Sequence, residues 1–431
     1  MGVKLPGILP VKTIEWDNLK NKKIGVDASN VLYQFLSSIR QRDGTPLMDS
    51  EGNVTSHLSG IFHRSLNLMQ KGIQLAYIFD GKPPDLKAGT QKARRDRKEK
   101  AHEAYREAKR EQDIESMSKY SKQTTYLDNE MVKESKELIS ALGLPVIQSP
   151  SESDAQGAFM TERKDLYAFA SSDADCLLHG CPRTIPNLTL SQTRKLPGGS
   201  FVYIQPHLIE LKDVLTHLNV NQDQLIAMGI LTGTDYNPKG VKGIGPKKAL
   251  NLVQQFKKFD SLFKELETDF DWKKIYAIFK SMPVMKNYQL KWKDMDETKI
   301  KDLLVSKHDF SEDRINNLLK KYKENKIETY KINSNSFSQG FIIAIINPKI
   351  LVWFIAIYSQ FIDINANIIN KTILILTPSI IDAIWYSLVA ILVTGYGLKE
   401  FFNKRKFIIE KVIGTLFIFI AFSLIYSLIS F

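Results

Sequence analysis

Lys23-Ile-Gly-Val-Asp27 and Gln74-Leu-Ala-Tyr-Ile-Phe-Asp80 share one pattern, a short apolar run that ends on an aspartate. Leu166-Tyr-Ala-Phe-Ala-Ser-Ser-Asp173 repeats it. Leu144–Ile147 is a fourth run, followed by Ser149-Pro-Ser-Glu-Ser-Asp154 and a helical pattern, and helix-like Ala28–Arg42 follows the first. Continuous apolar strands alternating with helices predict an α/β fold, a parallel sheet with helices on both faces. In such sheets the ligand site lies beyond the carboxyl ends of the strands, and here those ends present acids.

Asp27, Asp80 and Asp173 close three runs, and Asp175 follows two residues on. Glu152 and Asp154 begin the helix after the fourth run, and Asp235 closes the helical run Leu225–Thr232. A single strand-end aspartate commonly caps the next helix. Seven acids on one rim repel one another unless divalent cations neutralise them, and all-oxygen donors suit Mg²⁺ or Mn²⁺. Two such ions roughly 4 Å apart are a standard device for in-line phosphodiester displacement.

Charge and cysteine content narrow the classes further. The 431 residues carry 59 Lys and Arg against 47 Asp and Glu, a net +12. That balance points to an anionic partner, nucleic acid or membrane surface. Two cysteines, Cys176 and Cys181, exclude a disulfide framework and paired Cys-x-x-Cys zinc knuckles. The hydropathy is split. Beyond residue 340 the chain is overwhelmingly apolar, with seven basic residues and four acids; the preceding part still carries +9.

The apolar tail, 341–431, is expected to form three membrane spans at about 341–361, 373–398 and 407–430, each near the ~20 residues that cross a bilayer. Asn347-Pro348-Lys349 interrupts the first. The loop 399–411 holds Lys399, Lys404, Arg405, Lys406 and Lys411, which places it and the N-terminal part in the cytoplasm. The first 30 residues contain no apolar signal-peptide core.

Two basic segments stand out. From Lys87 to Arg110 there are ten basic residues and four acids in a helical pattern. It is either a solvated helix face laced with ion pairs or a basic lid that grips the phosphates of a threaded single strand. Gly240-Val-Lys-Gly-Ile-Gly-Pro-Lys-Lys-Ala-Leu250 places Gly243 and Gly245 between two helices, with Lys247 and Lys248 opening the second. Backbone N–H groups in such a turn can face a phosphate. The string resembles helix-hairpin-helix turns that bind DNA backbone without reading bases.

Taken in order, Ile24-Gly-Val-Asp-Ala-Ser-Asn, Phe79-Asp-Gly-Lys-Pro-Pro, Pro150-Ser-Glu-Ser-Asp-Ala, Ser172-Asp-Ala-Asp-Cys-Leu and Gly233-Thr-Asp-Tyr with Gly243-Ile-Gly-Pro-Lys resemble the flap endonucleases of the XPG/Rad2 nuclease superfamily, archaeal and eukaryotic type, over about residues 1–330. The resemblance implies a PIN-like domain, a helical arch at about 82–130 and a DNA-binding helical region at 217–260. It implies cleavage of 5′ DNA flaps at duplex junctions, with 5′–3′ exonuclease action, in replication and repair.

It gives Asp27, Asp80, Glu152, Asp154, Asp173, Asp175 and Asp235 to a Mg²⁺ site of two ions, with Mn²⁺ as a substitute. Asp154 stands where relatives often carry Glu. Lys87 and Arg94 fall near the scissile phosphate, Tyr33 under the terminal base, Gly2 near the active site, and the hairpin at a K⁺-assisted duplex contact. The family's usual C-terminal sliding-clamp motif is not matched by 331–341, so clamp stimulation is not expected. After a linker at 331–340, the last ~90 residues resemble the C-terminal half of a lysine/threonine exporter family protein, either a fusion or a mis-joined reading frame. The alternatives are a membrane-tethered nucleic-acid-binding protein and an exporter remnant joined to a nuclease.

Overall fold

The computed structural model describes residues 7–41, 44–110, 126–188, 193–195, 201–256 and 258–333, together with Asp113 and isolated residues between 367 and 388. The chain divides into two compact units, residues 1–330 and 331–431.

In the first unit the strands are β1 (Lys12–Thr13), β2 (Lys23–Asp27), β3 (Gln74–Phe79), β4 (Val146–Gln148), β5 (Ala168–Ala170), β6 (Arg183–Thr184), β7 (Thr193–Lys195), β8 (Phe201–Tyr203) and β9 (His207–Glu210). Seven of them form one sheet in the order β1-β9-β6-β5-β2-β3-β4, and β7 and β8 pair separately. The strands β6, β5, β2, β3 and β4 run parallel. The parallel expectation needs a correction at one edge, where β9 pairs antiparallel with β6, and β1 antiparallel with β9. Lys12 Nζ lies 2.9 Å from Glu210 there and also pairs with Asp213. Charge on an edge strand discourages further pairing.

The interiors of the central strands β2, β3 and β5 are apolar because both faces are buried. Ile24, Val26, Leu75, Tyr77, Phe79, Ala168 and Ala170 feed one core. Ala76, Ile78 and Phe169, pointing the other way, feed a second. The first core is closed by the helices Ala28–Ser38, Ser56–Gln70 and Asn129–Ala141. The second is closed by Ser153–Glu162, Gln222–Thr232 and Pro246–Gln255. Period-two alternation thus divides each strand between two cores.

Several boundaries differ from the sequence reading. The helix after β2 stops at Ser38, not Arg42, because the Ser37 and Ser38 hydroxyls turn back on the Gln34 carbonyl and Arg40 pairs with Pro46. β5 spans only three residues, and Asp173 lies in the turn beyond it. Side-chain hydrogen bonds of Ser and Asn compete locally with the regular ladder.

No described helix is long and apolar enough to cross a membrane. The spans expected at 341–361 and 407–430 lie outside the described residues, and of 373–398 only isolated helical residues are described. These include Ile373, Leu376, Ile380, Ile381, Ile384 and Leu388, all exposed.

Candidate active site

β2 and β3 lie side by side with Asp27 opposite Ile78, so Asp27 and Asp80 emerge at the same sheet edge. The Asp27 carboxylate caps the following helix, accepting from Asn30 N at 3.0 Å, and takes a second bond from the Ser171 hydroxyl at 3.3 Å. Asp80 accepts from Ser153 N at 2.8 Å, at the N-terminus of the helix that carries Asp154. A carboxylate at a helix N-terminus is favoured by the unsatisfied N–H groups there. Gly81 makes this junction possible: its N–H donates to Ser151 O at 2.6 Å, and a Cβ there would lie 2.2 Å from Ser149 O.

Glu152 is the N-cap of the helix Ser153–Glu162, and Asp175 lies in the first turn of the short helix Asp175–Leu178. Asp235 sits in a turn after the helix Gln222–Thr232, not at its end. Asn237 fixes that turn. Its Oδ1 accepts from Thr234 N and Oγ1 at 3.1 and 2.7 Å, and its Nδ2 donates to Ile230 O at 2.7 Å.

The electrostatics bring these acids to one place. Burial raises Asp27 to about 7, helped by the charges of Asp80 and Asp173. Burial also raises Asp154 well above the carboxylate range, helped by Asp27, Asp175, Asp173 and Asp80. Its Oδ1 is shielded from solvent and has no hydrogen-bond partner. Crowded carboxylates with an orphaned oxygen are costly as bare anions and become stable beside a cation.

One cation is already there. Lys87 Nζ lies 2.6 Å from Glu152 Oε1 and 3.3 Å from Asp235 Oδ2. Burial by itself would lower the lysine's pKa, but the charges and hydrogen bonds of the acids raise it instead. Among the described residues, no three His, Cys, Asp or Glu side chains are drawn tightly enough to hold one ion directly. The acids here offer only oxygen donors, which suit hard ions.

Lys87 ends the short 3-10 turn Asp85–Lys87 that leads into the long helix Ala88–Arg110. Further along that helix, Lys98 Nζ lies 4.9 Å above the ring of Tyr33, which is 41% exposed. Thr90 Oγ1 donates to Asp235 O at 2.5 Å. The basic helix thus crosses the acid rim. Arg94 lies on it, but its side chain is outside the described residues, as is Gly2. At the hairpin, Gly243 has φ +78° and Gly245 caps the helix that carries Lys247 and Lys248. Sequence reasoning gave no individual role to Thr90, Lys98 or Tyr236. Lys98 lies within the basic segment and Tyr236 within the Gly233-Thr-Asp-Tyr string, whereas Thr90 left no signal.

Residues 1–101 match the XPG N-terminal domain and residues 143–235 the XPG I-region. The chain is 48% identical over 326 residues to flap endonuclease 1 of Thermococcus onnurineus, covering 75% of this chain and 95% of that protein. The chain belongs to the flap endonuclease 1 family.

Flap endonuclease 1 of Pyrococcus abyssi is 47% identical, covering 75% of this chain and 94% of that protein. The crystallised flap endonuclease-1 of Methanococcus jannaschii superposes with a TM-score of 0.60 at 38% identity, covering 76% of this chain and all of that one. The catalytic core of Rad2 in complex with DNA substrate (TM-score 0.53, 21% identity, 72% and 96% covered) shares the fold. The chain is thus a structure-specific flap endonuclease, of a family that works with divalent metal ions. Residues 315–428 match the LysE type translocator family, which supports the exporter-like reading of the tail.

Proposed function

We propose that this nuclease hydrolyses 5′ DNA flaps near the junction of single strand and duplex, leaving a 5′-phosphate, with Mg²⁺ as the working ion and Mn²⁺ as a substitute. The observation that carries the reading is the meeting of acids from separate strand ends with Lys87, the residue just before a basic helix. Asp27, Asp80, Glu152, Asp154, Asp173, Asp175 and Asp235 would hold the ions, in part through water. When bound, the ions supply charge that activates the attacking water and steadies the leaving oxygen.

The chain's own residues do the placing. Lys87 carries a positive charge to the rim from the helix that crosses it, where it can donate to a non-bridging oxygen of the scissile phosphate. Tyr33 offers an exposed ring on which a base can stack. The 240–248 hairpin, with Lys247 and Lys248, grips duplex phosphates, a contact that sets position without reading sequence. The tail 341–431 acts as a tether at the cytoplasmic face of a membrane.

The test is cleavage of an end-labelled 5′ flap by the full chain. Activity should need Mg²⁺ or Mn²⁺ and vanish in EDTA. Asp173→Ala should abolish cleavage while flap affinity stays within a few-fold of wild type. Full activity in EDTA would overturn the metal mechanism.

A further inference from the structure

Both carboxylate oxygens of Glu152 are held, and by two different kinds of donor. Lys87 takes Oε1 at 2.6 Å. The Tyr236 hydroxyl donates to Oε2 at 2.8 Å, across 84 residues of sequence. Lys87 stands at the foot of a long helix, whereas Tyr236 is fixed by packing. It is 8% exposed, its N–H donates to Thr234 Oγ1 at 3.1 Å, and its ring packs edge-on against Phe279 at 5.6 Å, which in turn meets His179 at 5.0 Å. Burial and the Glu152 charge push the tyrosine pKa up, so the hydroxyl stays a donor.

A glutamate has three rotatable bonds, and holding it in one pose costs side-chain freedom. A rigid donor on one oxygen meets that cost in advance and leaves the other oxygen facing the rim. Lys87 shows that Oε1 is the oxygen a cation meets.

We infer that Tyr236 is a positioning residue that aims Glu152 Oε1 at the bound cation, through the bond from its hydroxyl to Oε2. The inference rests on the reading of the acid rim as the metal site. Outer hydrogen bonds of this kind typically change metal affinity or activity by about 10–100-fold when removed.

The experiment measures Mn²⁺ bound to the full chain without DNA, by the loss of the free-ion electron paramagnetic resonance signal, for wild type, Tyr236→Phe, Glu152→Gln and the double variant. Tyr236→Phe should weaken Mn²⁺ binding about tenfold, with flap affinity and melting temperature unchanged. In the Glu152→Gln background the same change should have no further effect, since the two act as a unit. Wild-type Mn²⁺ affinity in Tyr236→Phe overturns the inference, as do additive losses in the double variant. So does a Tyr236→Phe protein that also loses flap binding and its melting transition, because the hydroxyl would then hold the fold. If Glu152→Gln alone leaves Mn²⁺ binding untouched, the reading of the rim itself falls, an outcome distinct from the others.

Discussion

Lys87 Nζ lies 2.6 Å from Glu152 Oε1, a pair formed across 65 residues between the foot of the basic helix and the rim of acids. Under the proposed function, this cation stands where the scissile phosphate and the metal ions would come. Lys87→Ala should therefore slow single-turnover flap cleavage by about 10²–10³-fold, the usual loss for one charge-stabilising donor. Flap affinity should change far less, since binding spreads over many phosphates. A rapid-quench time course with excess enzyme checks the rate, and equal losses of rate and affinity would contradict this division.

The hairpin lysines should behave in the opposite way. Lys247 and Lys248 stand in the first turn of the helix Pro246–Gln255, after a turn that Gly243 allows with φ +78°. Replacing both by Ala should weaken duplex binding and lower the slope of log affinity against log salt by about 2, one for each phosphate no longer neutralised. The cleavage rate at saturating enzyme should stay near wild type. Fluorescence anisotropy titrations at several salt concentrations give the slope directly.

A buried polar network away from the rim predicts a pH effect on stability. Glu134, 5% exposed, accepts from Lys307 at 2.6 Å and His308 Nε2 at 3.0 Å, and His308 Nδ1 meets Asp49 at 2.8 Å. Burial alone would raise Glu134, but His57, 3.7 Å away, and the hydrogen bonds from Lys307 and His308 lower it from 4.5 to about 2. A depressed carboxyl stabilises the fold above its unfolded value and loses that contribution as pH falls through its folded one. Glu134→Ala should cost about 1–3 kcal/mol near neutrality, because it leaves the buried His308 ring without its acceptor. The gap to wild type should shrink as pH falls from about 5 towards 2. Urea melts of both proteins across that range provide the measurement.

The tail should be dispensable for chemistry. The unit 1–330 contains every residue placed on the acid rim, and residues 331–431 form a separate unit. A chain ending at Tyr330 should cut a simple flap at the full-length rate while losing any binding to anionic lipid vesicles. Vesicle flotation and flap cleavage on the same two proteins decide it. Loss of flap cleavage on truncation would make the tail part of the enzyme.

Local patterns in the sequence reveal much of the site. The acids at the ends of β2 and β3 are legible because a strand buried on both faces must be apolar throughout, so a charge marks where it ends. The fixed sheet geometry then sends those ends to one edge. Glu152 and Asp154 are legible for a related reason, as acids at a helix boundary. The hairpin's Gly243 and the basic helix from Lys87 onward are local in the same sense.

Which groups meet is a matter of packing between distant segments. The Tyr236–Glu152 bond, the Lys87 bridge from Glu152 to Asp235, the Lys98–Tyr33 stacking and the Glu134–His308 pair join residues far apart in the chain. No spacing rule encodes such partners. The antiparallel edge formed by β9 and β1 is likewise invisible locally, because a strand's residues do not record its neighbour's direction. Short-range periodicity was enough to predict acids at the ends of strands in a buried sheet. Which oxygen of which acid is held, and by what donor, followed from the meeting of separate elements, where hydrogen-bond geometry depends on atoms that only the folded chain brings within about 3 Å.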